Sequence, residues 1–384
     1  MRRHIRIFLC FFGVCCLFLR SPILASANAL SMETSAESAV LMDGESGRIF
    51  YQKDAHTRRP MASTTKIMTA LIAAERLDWD KDITVSHRAV VVEGSSLGLR
   101  GGDKIMVGDL ITGMMLTSGN DAANAIAEAV SGDQASFAAL MNQRAKDIGM
   151  THTRFVTPSG LDAEGHLSTA YDMALLAKEA LKNNRLASVF AMKTATIRLG
   201  DPKRTVTVSN HNRLLSFYPS AVGIKTGFTK KAGRCLVSAA KRDGVTLIAV
   251  TLDCPDDWDD HMRLYDAAFA LTESIPLPSV VLPTIPVAGS TTKEATLSSP
   301  TPPTVSLFQG DQDRMTVRVE LPRFVFAGGK QGDIVGRIRY SVWGRELAVL
   351  PIKLEKTLPE QPIASYSTQV WRLFLQMIEG LLRW

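Results

Sequence analysis

The apolar pattern changes rhythm along the chain, and each change marks an element. An unbroken apolar run from Ile7 to Leu19 comes first, behind Arg2, Arg3 and Arg6. Ala39-Val40-Leu41-Met42 and Arg48-Ile49-Phe50-Tyr51 then flank Asp43-Gly44-Glu45-Ser46-Gly47, which predicts a β-hairpin. Helical spacing takes over behind Pro60 and runs to about Leu77. A strand-like Ile83-Thr84-Val85 and a glycine-rich loop, Glu93-Gly94-Ser95-Ser96-Leu97-Gly98, interrupt it before helical patterns return from Val107 to Gly149. Asp133 is placed to cap a helix over 134–148, and Thr169-Ala170-Tyr171-Asp172 has the form of a capping box.

Strand periodicity begins at Thr194. Thr194 to Leu199 and Arg204 to Val208 flank an Asp201-Pro202 turn, followed by Val222 to Phe228 and a hairpin from Arg234 to Asp253. A helix near Asp259 to Thr272 closes the unit. Strands at both ends with helices between them predict one mixed, mainly antiparallel sheet covered by helices, an α+β fold over 30–275. Residues 276–303 are rich in Pro, Ser and Thr and read as a linker, with Val280-Val281-Leu282 as a first strand. Alternation in Met315 to Leu321, Asp333 to Tyr340 and Glu346 to Leu354 predicts a small all-β domain, so that 276–358 forms a second unit. The last segment, 365–384, reads as a helix. Gln369, Arg372, Gln376, Glu379 and Arg383 fall on one narrow face and the rest is apolar, the pattern of a helix lying in a membrane surface.

Composition changes this picture at the N-terminus. The basic start, the short apolar run and the small residues at Ala25-Ser26-Ala27 predict an export signal over 1–27. Its removal takes away four arginines and no acidic residue, which lowers the formal net charge from +6 to about +2. The basic balance therefore does not point to nucleic acid, and no basic run interleaved with aromatics is found. Cleavage also leaves only Cys235 and Cys254, on consecutive strand-like runs, where a disulfide and two buried thiols are both open. The histidines lack metal-ligand spacing, and His211 in Asn210-His211-Asn212-Arg213 reads as a turn or core residue.

The candidate chemistry starts at Ser63-Thr64-Thr65-Lys66. On a helix, a serine and a lysine three residues apart share a face, so the amine reaches the hydroxyl as its base. The spacing alone is not specific: Ser238-Ala239-Ala240-Lys241 and Ser290-Thr291-Thr292-Lys293 repeat it in a strand and in the linker. Two further motifs give it company. Ser118-Gly119-Asn120 lies between helical stretches, and Lys225-Thr226-Gly227 lies on a strand, followed by Phe228.

In this order the three motifs resemble those of penicillin-binding proteins and serine β-lactamases, and most of all the low-molecular-mass serine D-alanyl-D-alanine carboxypeptidases. Met61 to Ala70, Leu116 to Asp121, Thr157 to Asp162, Ser168 to Ala170 and Gly223 to Thr229 carry the similarity. The resemblance implies an exported enzyme on the outer face of the cytoplasmic membrane. It would cut the terminal D-alanine from a peptidoglycan stem peptide and bind β-lactams covalently, with neither metal nor cofactor. Ser63 would be the nucleophile, Lys66 the base, Ser118 a proton relay and Asn120 a hydrogen-bonding partner. Lys225 and Thr226 would hold the substrate carboxylate, Gly227 would admit substrate backbone, and the Ser63 and Phe228 amides would form an oxyanion hole. This chain carries Phe228 where some members have histidine. A β-lactamase would need a deacylating glutamate, for which Glu164 is the local candidate. A DD-endopeptidase of the same fold and a non-catalytic wall scaffold are the other readings.

Overall fold

The computed structural model describes residues 30–360 and 364–381, so the export signal expected over 1–27 lies outside them. β1 (Ser38–Asp43) and β2 (Ile49–Lys53) form the expected hairpin, its turn closed by Asp43 Oδ1, which accepts from the Glu45 and Ser46 amides. A 3-10 turn over Ala62–Thr65 leads into α1 (Lys66–Arg76), whose Ile67, Met68, Leu71 and Ile72 are buried. Each such side chain contributes about 1.5–3 kcal/mol. β3 (Asp82–Thr84) and β4 (Lys104–Met106) precede α2 (Val107–Thr117), α3 (Asn120–Ser131) and α4 (Gln134–Ile148). Asp133 caps α4 through the Ser136 amide, as expected.

α5 (Ala170–Leu181) and α6 (Asn184–Ala191) complete this helical group. Thr169 caps α5 by accepting from the Asp172 amide at 3.0 Å. The capping box expected there is only half formed. Asp172 turns its buried carboxylate to the His152 amide and the Thr153 hydroxyl, at 2.9 and 2.7 Å, and so pins an upstream turn instead of acting as a cap.

β5 (Thr194–Leu199) and β6 (Arg204–Ser209) do not join the main sheet, as a single sheet would require. They extend β3 and β4 into a separate four-stranded sheet, β3-β4-β5-β6. After the short α7 (Leu214–Phe217) come β7 (Ala221–Thr229), β8 (Gly233–Arg242) and β9 (Val245–Leu252), then α8 (Asp257–Phe269). The five-stranded sheet runs β2-β1-β9-β8-β7, antiparallel at every pairing. β1 takes its place beside β9 with Leu41 opposite Ala249, which leaves β7 as a free edge.

Strand parity sorts the core into two layers. Val40, Met42, Val237, Ile248 and Val250 face the cluster built on α1 to α5, while Ala39, Leu41, Leu247 and Ala249 face α8. Both faces are covered, which is why β9 is apolar almost throughout. The cysteines are separated as well, because Cys254 lies past the end of β9, where Asp253 at φ 53° breaks the alternation. Cys235 joins the first cluster and Cys254 the second, so they are free buried thiols on opposite faces of the sheet.

The Pro/Ser/Thr-rich stretch contains strands. β10 (Thr272–Pro276) pairs with β14 (Thr304–Phe308), and β11 (Ile285–Ala288), β12 (Glu294–Ala295) and β13 (Leu297–Ser298) lie between them in the chain. Val280 to Leu282 are not in a strand. The three alternating segments become β15 (Met315–Glu320), β17 (Ile334–Val342) and β18 (Arg345–Leu354), with β16 (Val325–Phe326) beside β11. Arg48 and the Trp343 indole N–H both donate to Asp311, at 2.7 and 2.8 Å, tying the β1–β2 turn to the β17–β18 turn. α9 (Ala364–Leu381) exposes its side chains from Val370 to Glu379. No described helix is long and apolar enough to cross a membrane.

Candidate active site

Three elements meet at Ser63: the 3-10 turn, the α2–α3 junction and the edge strand β7. The backbone at the turn is tight. Ala62 sits at φ 46°, and Gly160 packs against it so closely that a Cβ there would lie 2.0 Å from the Ala62 carbonyl oxygen. A Cβ on Gly227 would stand 3.0 Å from the Ser63 nitrogen, so the strand approaches the serine at glycine distance.

Lys66 is fully buried and its Nζ reaches three oxygens: Ser63 Oγ at 2.9 Å, Asn120 Oδ1 at 2.8 Å and the Ser159 carbonyl at 2.6 Å. The Glu93 carbonyl accepts from Asn120 Nδ2 at 2.7 Å, which fixes the amide with its oxygen towards Lys66. Two of the three oxygens, an amide and a carbonyl, can only accept. A neutral lysine has two N–H bonds to give them and one lone pair left, which faces the only partner able to donate, the Ser63 hydroxyl. Burial, with the Lys225 charge as the second cause, holds the Lys66 pKa well below that of a free lysine, against a smaller opposing pull from Asp121. The site is arranged for a neutral amine next to a serine.

Lys225 is also buried, and burial pushes it down to about 7; its Nζ donates to the Thr226 carbonyl at 3.0 Å. Thr226 follows on the edge strand, and Phe228 beyond Gly227 is 66% exposed. Ser118 ends α2 in the left-handed region at φ 64° and is buried. Among the described residues its hydroxyl makes no hydrogen bond to Ser63, Lys66 or Lys225. His211 is anchored through its amide to the Leu116 carbonyl at 3.1 Å, and the residue lies at the surface with its ring partly buried. Partial burial and the Lys225 charge hold it below an ordinary histidine.

The other two serine–lysine pairs are differently engaged. Ser238 is buried between His261 and Tyr265, at 2.7 and 2.6 Å, on the α8 side of the sheet, and Ser290 donates to the Pro359 carbonyl at 2.6 Å.

Several supporting residues escaped the sequence reading. Asp121 accepts from the Leu97, Gly98, Leu99 and Ala122 amides and from the Ser96 hydroxyl, so one buried carboxylate holds the glycine-rich loop against α3. Its place in the first turn of a helix was the available signal. His166 accepts from the Val156 amide at Nδ1, 2.9 Å, which leaves Nε2–H for Thr65 Oγ1 at 2.9 Å. Burial holds its pKa at about 4, so it remains neutral and ties the Ser159 loop to the serine turn. Glu164 lies exposed on the 163–165 turn. Replacing Asp121 with alanine leaves four backbone donors without their acceptor. We expect D121A to lose about 3–5 kcal/mol of stability, read as a lower melting temperature by calorimetry. An unchanged melting temperature would show that the loop does not depend on this carboxylate.

Comparison with known proteins gives a consistent result. A family model described as D-alanyl-D-alanine carboxypeptidase, Peptidase S11, matches residues 24–256. DacF of Bacillus subtilis is 38% identical over 250 residues, an alignment spanning 63% of this chain and 64% of that protein. DacC of Escherichia coli is 31% identical over 381 residues, 94% of this chain and 93% of DacC. Among solved structures, DacD from Francisella tularensis superposes with a TM-score of 0.61 at 29% identity, covering 91% of this chain and 99% of that one. Penicillin binding protein 5 from Haemophilus influenzae gives 0.61 at 25% identity, covering 86% of this chain and 99% of that one.

Proposed function

This chain belongs to the D-alanyl-D-alanine carboxypeptidase family, and on that premise we propose that it removes the terminal D-alanine from peptidoglycan stem peptides through an acyl-enzyme on Ser63. The observation that carries the mechanism is the Lys66 amine with its three oxygen partners, only one of which can donate.

Lys66 takes the Ser63 proton as Oγ attacks the carbonyl between the two D-alanines. Ser63 and Phe228 amides receive the oxyanion, and Lys225 with Thr226 holds the substrate's free carboxylate. Gly227 leaves room for the peptide to lie along the free edge of β7 as an added strand. The proton on Lys66 passes through Ser118 to the departing D-alanine amine, and water then cleaves the ester. A β-lactam carbonyl takes the same attack, but its amine stays tethered to the acyl group, so the adduct persists. The exposed position of Glu164 favours this reading over a β-lactamase.

We read residues 30–275 as the catalytic unit and 276–358 as a β-rich spacer. The exported chain sits on the outer face of the cytoplasmic membrane, held by the apolar face of α9, where Trp371, Phe374 and Met377 are exposed. A chain ending at Pro362 should then leave the membrane fraction. Its retention there would rule out the helix as the anchor.

The decisive assay is release of D-alanine from a pentapeptide ending D-Ala-D-Ala. Release supports carboxypeptidase activity, whereas penicillin turnover without D-alanine release would favour a β-lactamase. The pH profile tests the lysine roles. Activity should fall at low pH as Lys66 gains a proton, since only the neutral amine is a base. kcat/KM should also fall above about pH 7 as free Lys225 loses its charge. In kcat that upper limb should move to higher pH, because bound carboxylate holds the Lys225 proton. An upper limb at the same pH in both would argue against a carboxylate on Lys225.

A further inference from the structure

Beyond the tail helix, the β-rich part of the chain carries a second apolar feature that the fold leaves in water. Phe324 and Phe326 are 47% and 71% exposed, with their rings edge to face at 5.2 Å between centroids. Strand alternation explains the exposure: Val325 between them packs with Ile285, Leu354 and Leu358, so its two neighbours turn outward. Ile334, at the far end of the following loop, is 67% exposed.

This loop lies beside the root of α9. The Gly328 amide donates to the Leu358 carbonyl and the Leu358 amide to the Gly329 carbonyl, both at 2.8 Å, while the Gly332 amide donates to Leu354 at 2.9 Å. α9 begins four residues after Glu360, a reach of at most about 14 Å even for extended chain. The opposite end of the β17–β18 hairpin is the one fastened to the β1–β2 turn through Trp343, Asp311 and Arg48. At about 3.3 Å per residue, the hairpin separates the two ends by roughly 30 Å. The exposed rings are thus at the end from which the amphipathic helix leaves, opposite the end tied to the β1–β2 turn. Arg323, Lys330, Lys353 and Lys356 lie along the same segments, against Asp333, Glu355 and Glu360, so the apolar side chains rather than net charge set the character of the patch.

We propose that Phe324, Phe326 and Ile334 form a second contact with the bilayer interface beside the root of α9. The tail and the β-rich segment then enter the headgroup region together, and the hairpin holds the catalytic unit away from the lipid at a fixed height. This rests on the membrane reading of α9 and adds an orientation to it.

The test is co-sedimentation of the full chain with vesicles of phosphatidylethanolamine and phosphatidylglycerol. F324S/F326S should bind at least about tenfold more weakly than wild type, while releasing D-alanine from a soluble pentapeptide at the wild-type rate. A bimane attached through F326C should shift to the blue when vesicles are added. Equal binding by wild type and F324S/F326S, with no bimane shift, would overturn the second contact and leave the α9 anchor standing. If wild type itself fails to bind, the α9 reading falls and this one with it. If the double variant loses binding to purified peptidoglycan but keeps its vesicle binding, the patch belongs to the wall, and the proposal is wrong.

Discussion

Replacing Ser63 with alanine is expected to lower kcat/KM for D-alanine release by at least about 10⁴-fold, close to 5.4 kcal/mol of transition-state stabilisation. Of the three hydrogen-bond partners of the Lys66 amine among the described residues, Ser63 Oγ is the one able to give up a proton. The substitution removes one small hydroxyl from a turn otherwise held by Thr64, Thr65 and Gly160, so the fold should survive it. Circular dichroism and the melting temperature should therefore match wild type while turnover is lost. Retained D-alanine release by S63A would move the nucleophile elsewhere.

Exchanging Lys66 for arginine separates a base from a mere cation. A guanidinium still donates hydrogen bonds but cannot lose its proton in the accessible pH range. K66R is expected to slow acylation by about 10³-fold or more, with no recovery up to pH 10, measured as the rate of label incorporation from a fluorescent penicillin. K225R provides the contrast. It keeps a positive charge for the substrate carboxylate, so its loss should fall mainly on KM and be much smaller. Comparable loss in both variants would mean that Lys66 serves by its charge or its bulk, not by taking a proton.

What the sequence disclosed and what it hid follow a physical division. Ser63 and Lys66 were legible because helical spacing alone brings i and i+3 together. The hairpins were legible because strand alternation and turn residues are local. Asn120 and Lys225 could be placed by motif order, and the structure sets them around Lys66 through one hydrogen bond and one charge. The hidden parts depend on backbone groups or on long-range register. The Ser159 carbonyl that receives Lys66, and the amides gathered by Asp121, carry no side-chain signature. The capping-box spacing reads Asp172 as a cap, yet its carboxylate reaches across to 152–153. Sheet membership was hidden for the same reason: β5 and β6 read as strands, but nothing local says that they join β4 rather than β7. Proline and serine content masked the short strands over 285–298, where β11 pairs with β12 and β16, and β13 pairs with β18. Cys235 and Cys254 lie on consecutive runs, but the alternation breaks at Asp253, and Cys254 falls in the other layer.

The most direct measurement of the central claim is to locate the penicillin adduct. The full chain is incubated with a penicillin, digested and mapped by mass spectrometry, with S63A in parallel. The account predicts one acyl adduct, on the peptide containing Ser63, and none in S63A. An adduct on Ser118, Ser238 or any other residue, or an unmodified wild-type chain, would contradict it.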